Sequence, residues 1–181
     1  MAIRSFRDIP LTYEKRTLII CDIDDTLLKW EKTIQTFYNQ SLILFSTSGN
    51  TGDKLHTLAK TYAIQLYNQY RKIIPPTPTD APGFLDLMQR ISLIPGSEIM
   101  FLTARTDIDD ITRQDFYSLG LRYDQFKVHF TENQISKGEY IQKKIDVSGF
   151  DHVIFIDDLM ENILSVNQFY PKIQCYRFLS R

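Results

Sequence analysis

The chain of 181 residues is poor in cysteine, nearly neutral in charge and without any long hydrophobic run. Its two cysteines, Cys21 and Cys175, are too few for a disulfide scaffold, and the apolar residues before Cys21 favour a buried thiol over a reactive one. A formal net charge of −1 gives no electrostatic reason to expect nucleic acid or an anionic membrane as a partner. No apolar run approaches the roughly 18 residues that a transmembrane helix needs.

The first 16 residues carry basic side chains but lack the apolar region of a secretory signal, so we expect a cytoplasmic protein. Pro10 interrupts any regular element there, and we interpret residues 1–16 as a lead-in. Hydrophobic residues at 43% and charged residues at 24% are typical of a globular protein. The length fits one domain, or one domain with a sizeable insertion.

Residues 17–28, TLIICDIDDTLL, are the most informative stretch of the sequence. An apolar run that ends abruptly in acids predicts a strand buried on both faces, whose tip leaves the core. Such tips are where parallel α/β sheets bind their ligands. Three carboxylates within four residues repel one another unless a cation neutralises them, and hard oxygen ligands favour Mg²⁺.

The next segment has helical rather than strand periodicity. Apolar residues recur at steps of three and four over residues 30–45 and again over residues 53–73, which predicts a helical hairpin with a polar turn between its helices. The expected apolar face of the second helix runs from Leu55 through Tyr62 to Ile73. Four prolines within residues 75–82 predict a stiff linker after it.

From residue 83 onward helices and strands alternate, which predicts a parallel sheet with right-handed crossovers. We therefore expect an α/β protein, with a Rossmann-like parallel sheet, helices on both faces and a small α-helical cap insertion after the first strand. The predicted core comprises residues 1–28 and 75–181, and the predicted insertion comprises residues 29–74. Helices are expected at residues 83–94, 109–119, 137–145 and 159–169, and strands at residues 99–102, 127–130, 152–156 and 173–178.

Polar residues follow three of the apolar strands, and such strand ends share one edge of a parallel sheet. Asp22 and Asp24 follow the first strand, Thr103 ends the second, and an acidic pair at residues 157–158 ends the third. Lys137, at a predicted helix start, is placed to complete the group. Acids, a hydroxyl and a cation together suit transfer of a phosphoryl group, where positioning and charge neutralisation dominate.

These four stretches resemble the haloacid dehalogenase-like superfamily. Its D-x-D-x-T sequence after a strand matches residues 22–26, and its strand ending in Ser or Thr matches residues 99–103. Its lysine matches Lys137, and its strand ending in two acids matches residues 154–158. Order, spacing and strand context agree over residues 17–178. The stretches LTAR and SKGE, at residues 102–105 and 136–139, also resemble an uncharacterised bacterial branch of the superfamily.

The resemblance implies that Asp22 attacks phosphorus and forms an aspartyl-phosphate. Asp24 would protonate the leaving oxygen and then deprotonate the hydrolytic water. Mg²⁺ would be held by Asp22, the backbone carbonyl of Asp24 and Asp157, with Asp158 acting directly or through water. The helical insertion would act as a cap that selects the substrate.

Four residues are the candidates for binding the phosphate or the substrate. Thr103 and Lys137 would hold the phosphoryl oxygens, whereas Arg105 would either contact the substrate or pair with Asp107 or Asp109. Asn162, one turn beyond the acidic pair, would either orient the metal's acids or face solvent. The phosphate- and substrate-binding candidates are Thr103, Ala104, Arg105 and Lys137.

We therefore predict a Mg²⁺-dependent phosphohydrolase that acts on a small phosphorylated substrate, with no nucleic-acid or membrane partner. The acid at Asp24 disfavours a dehalogenase, because halide departure needs no proton. The alternatives are a phosphotransferase of the same mechanism, a receiver-like signalling module, and a catalytically silent protein that binds phosphate or metal. The sequence does not identify the substrate or the oligomeric state.

Overall fold

A computed structural model describes residues 1–106 and 110–180 and divides the chain into two compact units. One unit comprises Met1–Lys29 and Pro78–Arg181, and the other comprises Trp30–Thr77. The first boundary lies after residue 29 where residue 28 was predicted, and the second lies before residue 78 where residue 75 was predicted.

The larger unit has the predicted α/β architecture, with a parallel sheet flanked by helices. Within the described residues the sheet has six strands in the order β1-β8-β7-β2-β5-β6, and every pair is parallel. Two further short strands lie where the chain leaves and re-enters this unit. The strands are β1 (Ala2–Ile3), β2 (Thr17–Cys21), β3 (Leu28–Lys29), β4 (Thr77–Pro78), β5 (Glu98–Thr103), β6 (Lys127–Phe130), β7 (His152–Asp157) and β8 (Gln174–Phe178).

Most helices begin and end close to the expected residues. Ser136 caps α5 as predicted by accepting a hydrogen bond from the Glu139 N–H, and Gly120 ends the region of α4 with a φ of +73°. The helices are α1 (Ile34–Thr47), α2 (Gly52–Ile73), α3 (Ala81–Ser92), α4 (Ile111–Ser118), α5 (Lys137–Lys144) and α6 (Met160–Phe169), with short 3₁₀ turns at Phe6–Asp8 and Tyr123–Gln125.

Strand β2 lies between β7 and β5, and all five of its residues are buried. Cys21, its last residue, is in register with Ile156 of β7 and Phe101 of β5. Because the three strands run in the same direction, the residues that follow them emerge together at one edge of the sheet. This register is what positions the candidate site.

The two faces of the sheet carry separate hydrophobic layers. On one face Leu18 and Ile20 of β2 belong to a buried cluster with Ile141 of α5 and Val166 of α6. On the other face Phe101 of β5 packs against aromatic rings of α3 and α4. The ring centroids lie 6.1 Å from Phe84 and 4.9 Å from Phe116.

The lead-in predicted for residues 1–16 is wrong, because part of that segment belongs to the core. β1 pairs with β8 at the edge of the sheet, and the fully buried Phe6 ring stacks on Phe178 with centroids 4.8 Å apart. The Phe6 N–H donates to Asp80 Oδ2 at 3.0 Å, which ties the segment to the start of α3. A two-residue strand has no detectable period, so the pattern could not reveal it.

The predicted linker is also shorter than expected, because its last residues form the first turn of α3. Asp80 is the N-cap and accepts a hydrogen bond from the Gly83 N–H at 3.0 Å. Pro82 lies within that first turn, where a missing N–H costs no helical hydrogen bond.

The smaller unit contains the predicted pair of helices, α1 and α2. Most of the predicted apolar face of α2 is partly buried, at Leu55, Leu58, Leu66 and Tyr70. The two fully buried residues of α2 are Ala59 and Ala63, whereas Tyr62 and Ile73 of the predicted face are exposed. Small side chains allow two helices to approach closely, and periodicity of large apolar residues does not detect them. Among the described residues no helix is long and apolar enough to cross a bilayer.

The buried position of Phe6 predicts that residues 1–9 stabilise the larger unit. We expect Phe6→Ala to lower the free energy of unfolding by about 3–5 kcal/mol, because it leaves a cavity between Phe178 and Phe84. Urea denaturation measures this. Tyr13→Ala, at a side chain that is 55% exposed, is the control and should change stability by less than about 0.5 kcal/mol. Equal stability of Phe6→Ala and the wild type would contradict the assignment.

Candidate active site

Asp22 lies at the tip of β2 and is almost completely buried. Its backbone N–H donates to the Ile156 carbonyl at 2.9 Å, which continues the pairing of β2 with β7. The chain then turns back, as the N–H groups of Leu27 and Leu28 both donate to the Ile23 carbonyl at 2.9 Å. This tight loop keeps Asp22 and Asp24 at the edge of the sheet.

Asp157, the last residue of β7, is fully buried and held by several donors. Its Oδ1 accepts from the Leu159 N–H at 2.9 Å and from Asn162 Nδ2 at 3.0 Å. The same Nδ2 lies 3.1 Å from Oδ2. Two positions were considered for Asn162, one facing solvent and one beside the acids. The structure shows the second, in which its amide orients the Asp157 carboxylate.

Lys137 carries its ammonium group into the space between Asp22 and Asp157. Its Nζ contacts Asp22 Oδ1 and lies 2.7 Å from Asp157 Oδ2, and its side chain is only 3% exposed. The residue opens α5, and the next residue, Gly138, lies against α6. A Cβ on Gly138 would stand 2.3 Å from the Ser165 carbonyl oxygen. The absence of a side chain at Gly138 is therefore what lets α5 approach closely enough for Lys137 to reach the site.

Burial and opposite charge act against each other in this cluster. Burial raises the pKa of Asp22 well above its usual value, and Lys137 opposes that rise. Burial alone would lower the pKa of Lys137, but the charges of Asp22 and Asp157 outweigh it and raise the pKa above its usual value. Lys137 thus lies where a positive charge offsets the two buried carboxylates of Asp22 and Asp157.

Asp158, beside Asp157, completes a set of three acids. It is half-buried, and burial together with the charges of Asp157 and Asp25 raises its pKa to about 6. The Thr26 hydroxyl donates to its Oδ1 at 3.4 Å. Asp22, Asp157 and Asp158 each offer one carboxylate oxygen, and these three oxygens lie within 4.8 Å of one another. Hard oxygen donors at this spacing suit Mg²⁺ or another small divalent cation.

Asp24 and Thr103 form a second group, next to the first. Arg105 binds the Asp24 carboxylate with two hydrogen bonds, from Nε to Oδ2 at 2.8 Å and from Nη2 to Oδ1 at 2.9 Å. Thr103 ends β5 fully buried, and its hydroxyl lies 3.5 Å from Asp24 Oδ2. Ala104 follows directly after the strand and is partly buried.

The third guanidinium nitrogen of Arg105, Nη1, points away from Asp24 toward α4. Nη1 lies 3.0 Å from the Thr112 hydroxyl and 2.8 Å from Asp115 Oδ2, and all three side chains are buried. The ion pair that we considered with Asp107 or Asp109 lies outside the described residues. In the described part of the chain the guanidinium contacts two other acids, Asp24 and Asp115.

The candidate residues thus form two neighbouring groups rather than a single one. Asp22, Asp157, Asp158 and Lys137 surround the possible cation position, and the Asp24 carboxylate is not one of the three clustered acids. Sequence analysis did not identify Thr112 and Asp115. A signal was available, because both residues share a helical face with the buried Phe116, and an acid on an apolar face implies a buried partner.

Comparisons with known proteins add evidence on the fold alone. No family model matches the chain, and no curated protein matches it. A solved structure described as a Pnkp1/Rnl/Hen1 complex contains a similar chain, with a TM-score of 0.52 and 16% sequence identity. The similarity covers 94% of this chain and 50% of that one, so the present chain spans about half the length of the chain it matches. This likeness supports the α/β architecture.

The charge balance around Lys137 predicts a large effect of its removal. In Lys137→Met, Asp22 and Asp157 lose their common cation while staying buried, which we expect to cost about 3–5 kcal/mol of stability without divalent cations. Added Mg²⁺ should then raise the melting temperature of the variant more than that of the wild type.

Lys143→Met is the matched control for that measurement, because Lys143 lies on the same helix with a side chain that is 57% exposed. It should melt like the wild type with and without Mg²⁺. Thermal melts of the three proteins in chelator and in Mg²⁺ make the comparison. Equal destabilisation by the two substitutions would contradict the role given to Lys137.

Proposed function

We propose that the protein is a Mg²⁺-dependent phosphohydrolase that works through an aspartyl-phosphate on Asp22. The observation that carries the proposal is the buried ammonium of Lys137 between Asp22 and Asp157, with a third acid within reach of both. A carboxylate can approach an anionic phosphate only where cations cancel the repulsion between them. At this edge of the sheet the Asp22 carboxylate lies beside the Lys137 ammonium and beside two further acids that could hold a cation.

The residues present fit a divalent cation. Three carboxylates and one ammonium leave the cluster with an excess of two formal negative charges, and all the candidate donors are oxygens. Asp22, Asp157 and Asp158 would hold the ion, with the backbone carbonyl of Asp24 as the further ligand that the resemblance implies. When bound, the ion would neutralise phosphoryl oxygens and orient the phosphate toward Asp22.

The chain's own residues supply the remaining chemistry. Asp22 would donate an electron pair to phosphorus as the bond to the leaving oxygen breaks, and Asp24, which must be protonated for this step, would give that oxygen its proton and become a carboxylate. Asp24 then takes a proton from water as the water attacks the phosphorus of the aspartyl-phosphate and releases Asp22. The Thr103 hydroxyl and the Lys137 ammonium bind phosphoryl oxygens.

The substrate class in this proposal is a small phosphorylated molecule. A phosphotransferase of the same mechanism differs only in the acceptor of the second step, which would be an alcohol in place of water. The selecting role expected for residues 29–74 stays a prediction, and a screen over nucleotides, sugar phosphates and phosphoamino acids identifies the preferred class.

Two substitutions test the proposal directly. Asp22→Asn removes the nucleophile, and Asp24→Asn removes the base that deprotonates the hydrolytic water, so we expect each to lower kcat for an aryl phosphate in Mg²⁺ by at least about 100-fold. Phosphate release measures the rate, and circular dichroism checks that the fold is unchanged. Rates like those of the wild type in either variant would reject the role assigned to that residue.

Asp25→Asn is the matched control, because it removes the same charge from the same loop. Asp25 has a φ of +59°, a conformation that asparagine tolerates well, and it should keep activity within about threefold. The wild type also separates the alternatives. An aspartyl-phosphate that forms from a small phosphodonor and persists would favour the receiver-like module, and no turnover of any screened phosphate would favour the silent binding protein.

A further inference from the structure

Three charged side chains, Asp115, Arg105 and Asp24, form a connected series from α4 to the edge of the sheet. Asp115 contacts Arg105 Nη1 at 2.8 Å, and Arg105 in turn holds both carboxylate oxygens of Asp24. The side chains of Asp115 and Arg105 are 4% and 5% exposed, whereas that of Asp24 is 34% exposed. The series therefore begins with a buried residue, Asp115, and ends at Asp24, which is partly exposed at the edge of the sheet.

Packing of α4 in the core fixes the position of Asp115, the first residue of this series. Phe116, the residue after Asp115, is fully buried, and its ring lies 4.9 Å from Phe101 of β5. Thr112, one turn earlier on α4, places its hydroxyl 3.0 Å from the same Nη1. Because a guanidinium is planar and rigid, fixing Nη1 also fixes the directions of Nε and Nη2.

Arg105 is held at its near end as well. Its backbone N–H donates to the Thr103 hydroxyl at 3.3 Å, and that hydroxyl lies 3.5 Å from Asp24 Oδ2. A bidentate contact fixes both the distance and the plane of a carboxylate. The orientation of Asp24 is thus set through Arg105, which Thr103 holds at the edge of the sheet and which Thr112 and Asp115 hold from α4.

We propose that Asp115, assisted by Thr112, is a positioning residue for the proton transfer assigned to Asp24, acting through Arg105. The inference rests on the proposed function and extends it to α4, where sequence analysis placed no functional residue. Asp115 touches neither substrate nor metal. Its role is to keep the guanidinium in the orientation that aims Asp24 at the leaving oxygen.

The inference has a signature that a purely structural role lacks. Protonation of the leaving oxygen matters greatly for an alkyl phosphate, whose alkoxide is a poor leaving group. It matters little for 4-nitrophenyl phosphate, whose phenolate leaves without a proton. The value of kcat/KM reports this first step, because release of the leaving group forms the aspartyl-phosphate. A misplaced Asp24 should therefore slow the alkyl ester far more than the aryl ester.

The experiment compares kcat/KM for glycerol phosphate and 4-nitrophenyl phosphate in Mg²⁺. We expect Asp115→Asn to lower the value about 30-fold for the alkyl ester and less than about threefold for the aryl ester. Asp115→Glu, which keeps the charge, should recover part of the alkyl-ester rate. Arg113→Gln is the control on the same helix, since Arg113 pairs at the surface with Asp110 and Asp124, and it should leave both values unchanged.

A second comparison separates coupling through Arg105 from any direct effect of Asp115. In an Arg105→Gln background the further change Asp115→Asn should have no additional effect on the ratio of the two kcat/KM values, because the connecting cation is gone. Thr112→Val removes the hydroxyl that contacts Arg105 Nη1 and keeps the shape and charge of the side chain. Like Asp115→Asn, it should lower kcat/KM more for the alkyl ester than for the aryl ester. It tests the inference even if Asp115→Asn does not fold.

The outcomes distinguish this inference from the proposed function. A wild type that turns over neither these esters nor any phosphate of the screen overturns the function, and the inference with it. An active wild type in which Asp115→Asn or Thr112→Val changes kcat/KM for both esters by the same factor, or changes neither, overturns the inference alone. The inference is also overturned if Asp115→Asn changes the ratio of the two kcat/KM values as much in the Arg105→Gln background as in the wild type.

Discussion

The buried ammonium of Lys137 is the charge on which the rest of the site depends. Asp22 and Asp157 lie in a nearly dry environment, where a carboxylate without a counter-charge is very costly. Several local features are consistent with this one requirement. Ser136 starts α5 at the right residue, Gly138 lets that helix approach α6, and the two strand tips meet because β2 and β7 are parallel neighbours.

The sheet edge holds its acids in two different ways. In the first group, one ammonium for three carboxylates leaves a surplus of negative charge that suits a divalent cation. In the second, Arg105 is shared between Asp24 and Asp115, which fixes the direction of a carboxylate rather than attracting a ligand. In the proposed mechanism the first group would bind the phosphate and the second would orient the proton donor.

The sequence predicted the sheet and the acids at its edge because both depend on local signals. The run from residue 17 to residue 21 is apolar throughout, and the register of parallel strands carries its tip to the tip of β7. What it could not predict depends on partners distant in the chain. β1 is too short to show a period, and the buried Ala59 and Ala63 do not stand out in a pattern of large apolar residues. The partner of Asp115 is not visible in the pattern of α4. The activity and the roles of the site residues stay predictions.

Asp22 and Lys137 are separated by 115 positions, and Asp157 follows Lys137 by a further 20. During synthesis the acidic tip of β2 is therefore made long before Lys137, which neutralises it, and before β7, which pairs with β2. Until Lys137 and β7 are in place, we expect the Asp22 carboxylate to stay hydrated, because burying it without a counter-charge is costly. The chemistry proposed for Asp22 would therefore require the last third of the chain, which contains both Lys137 and Asp157.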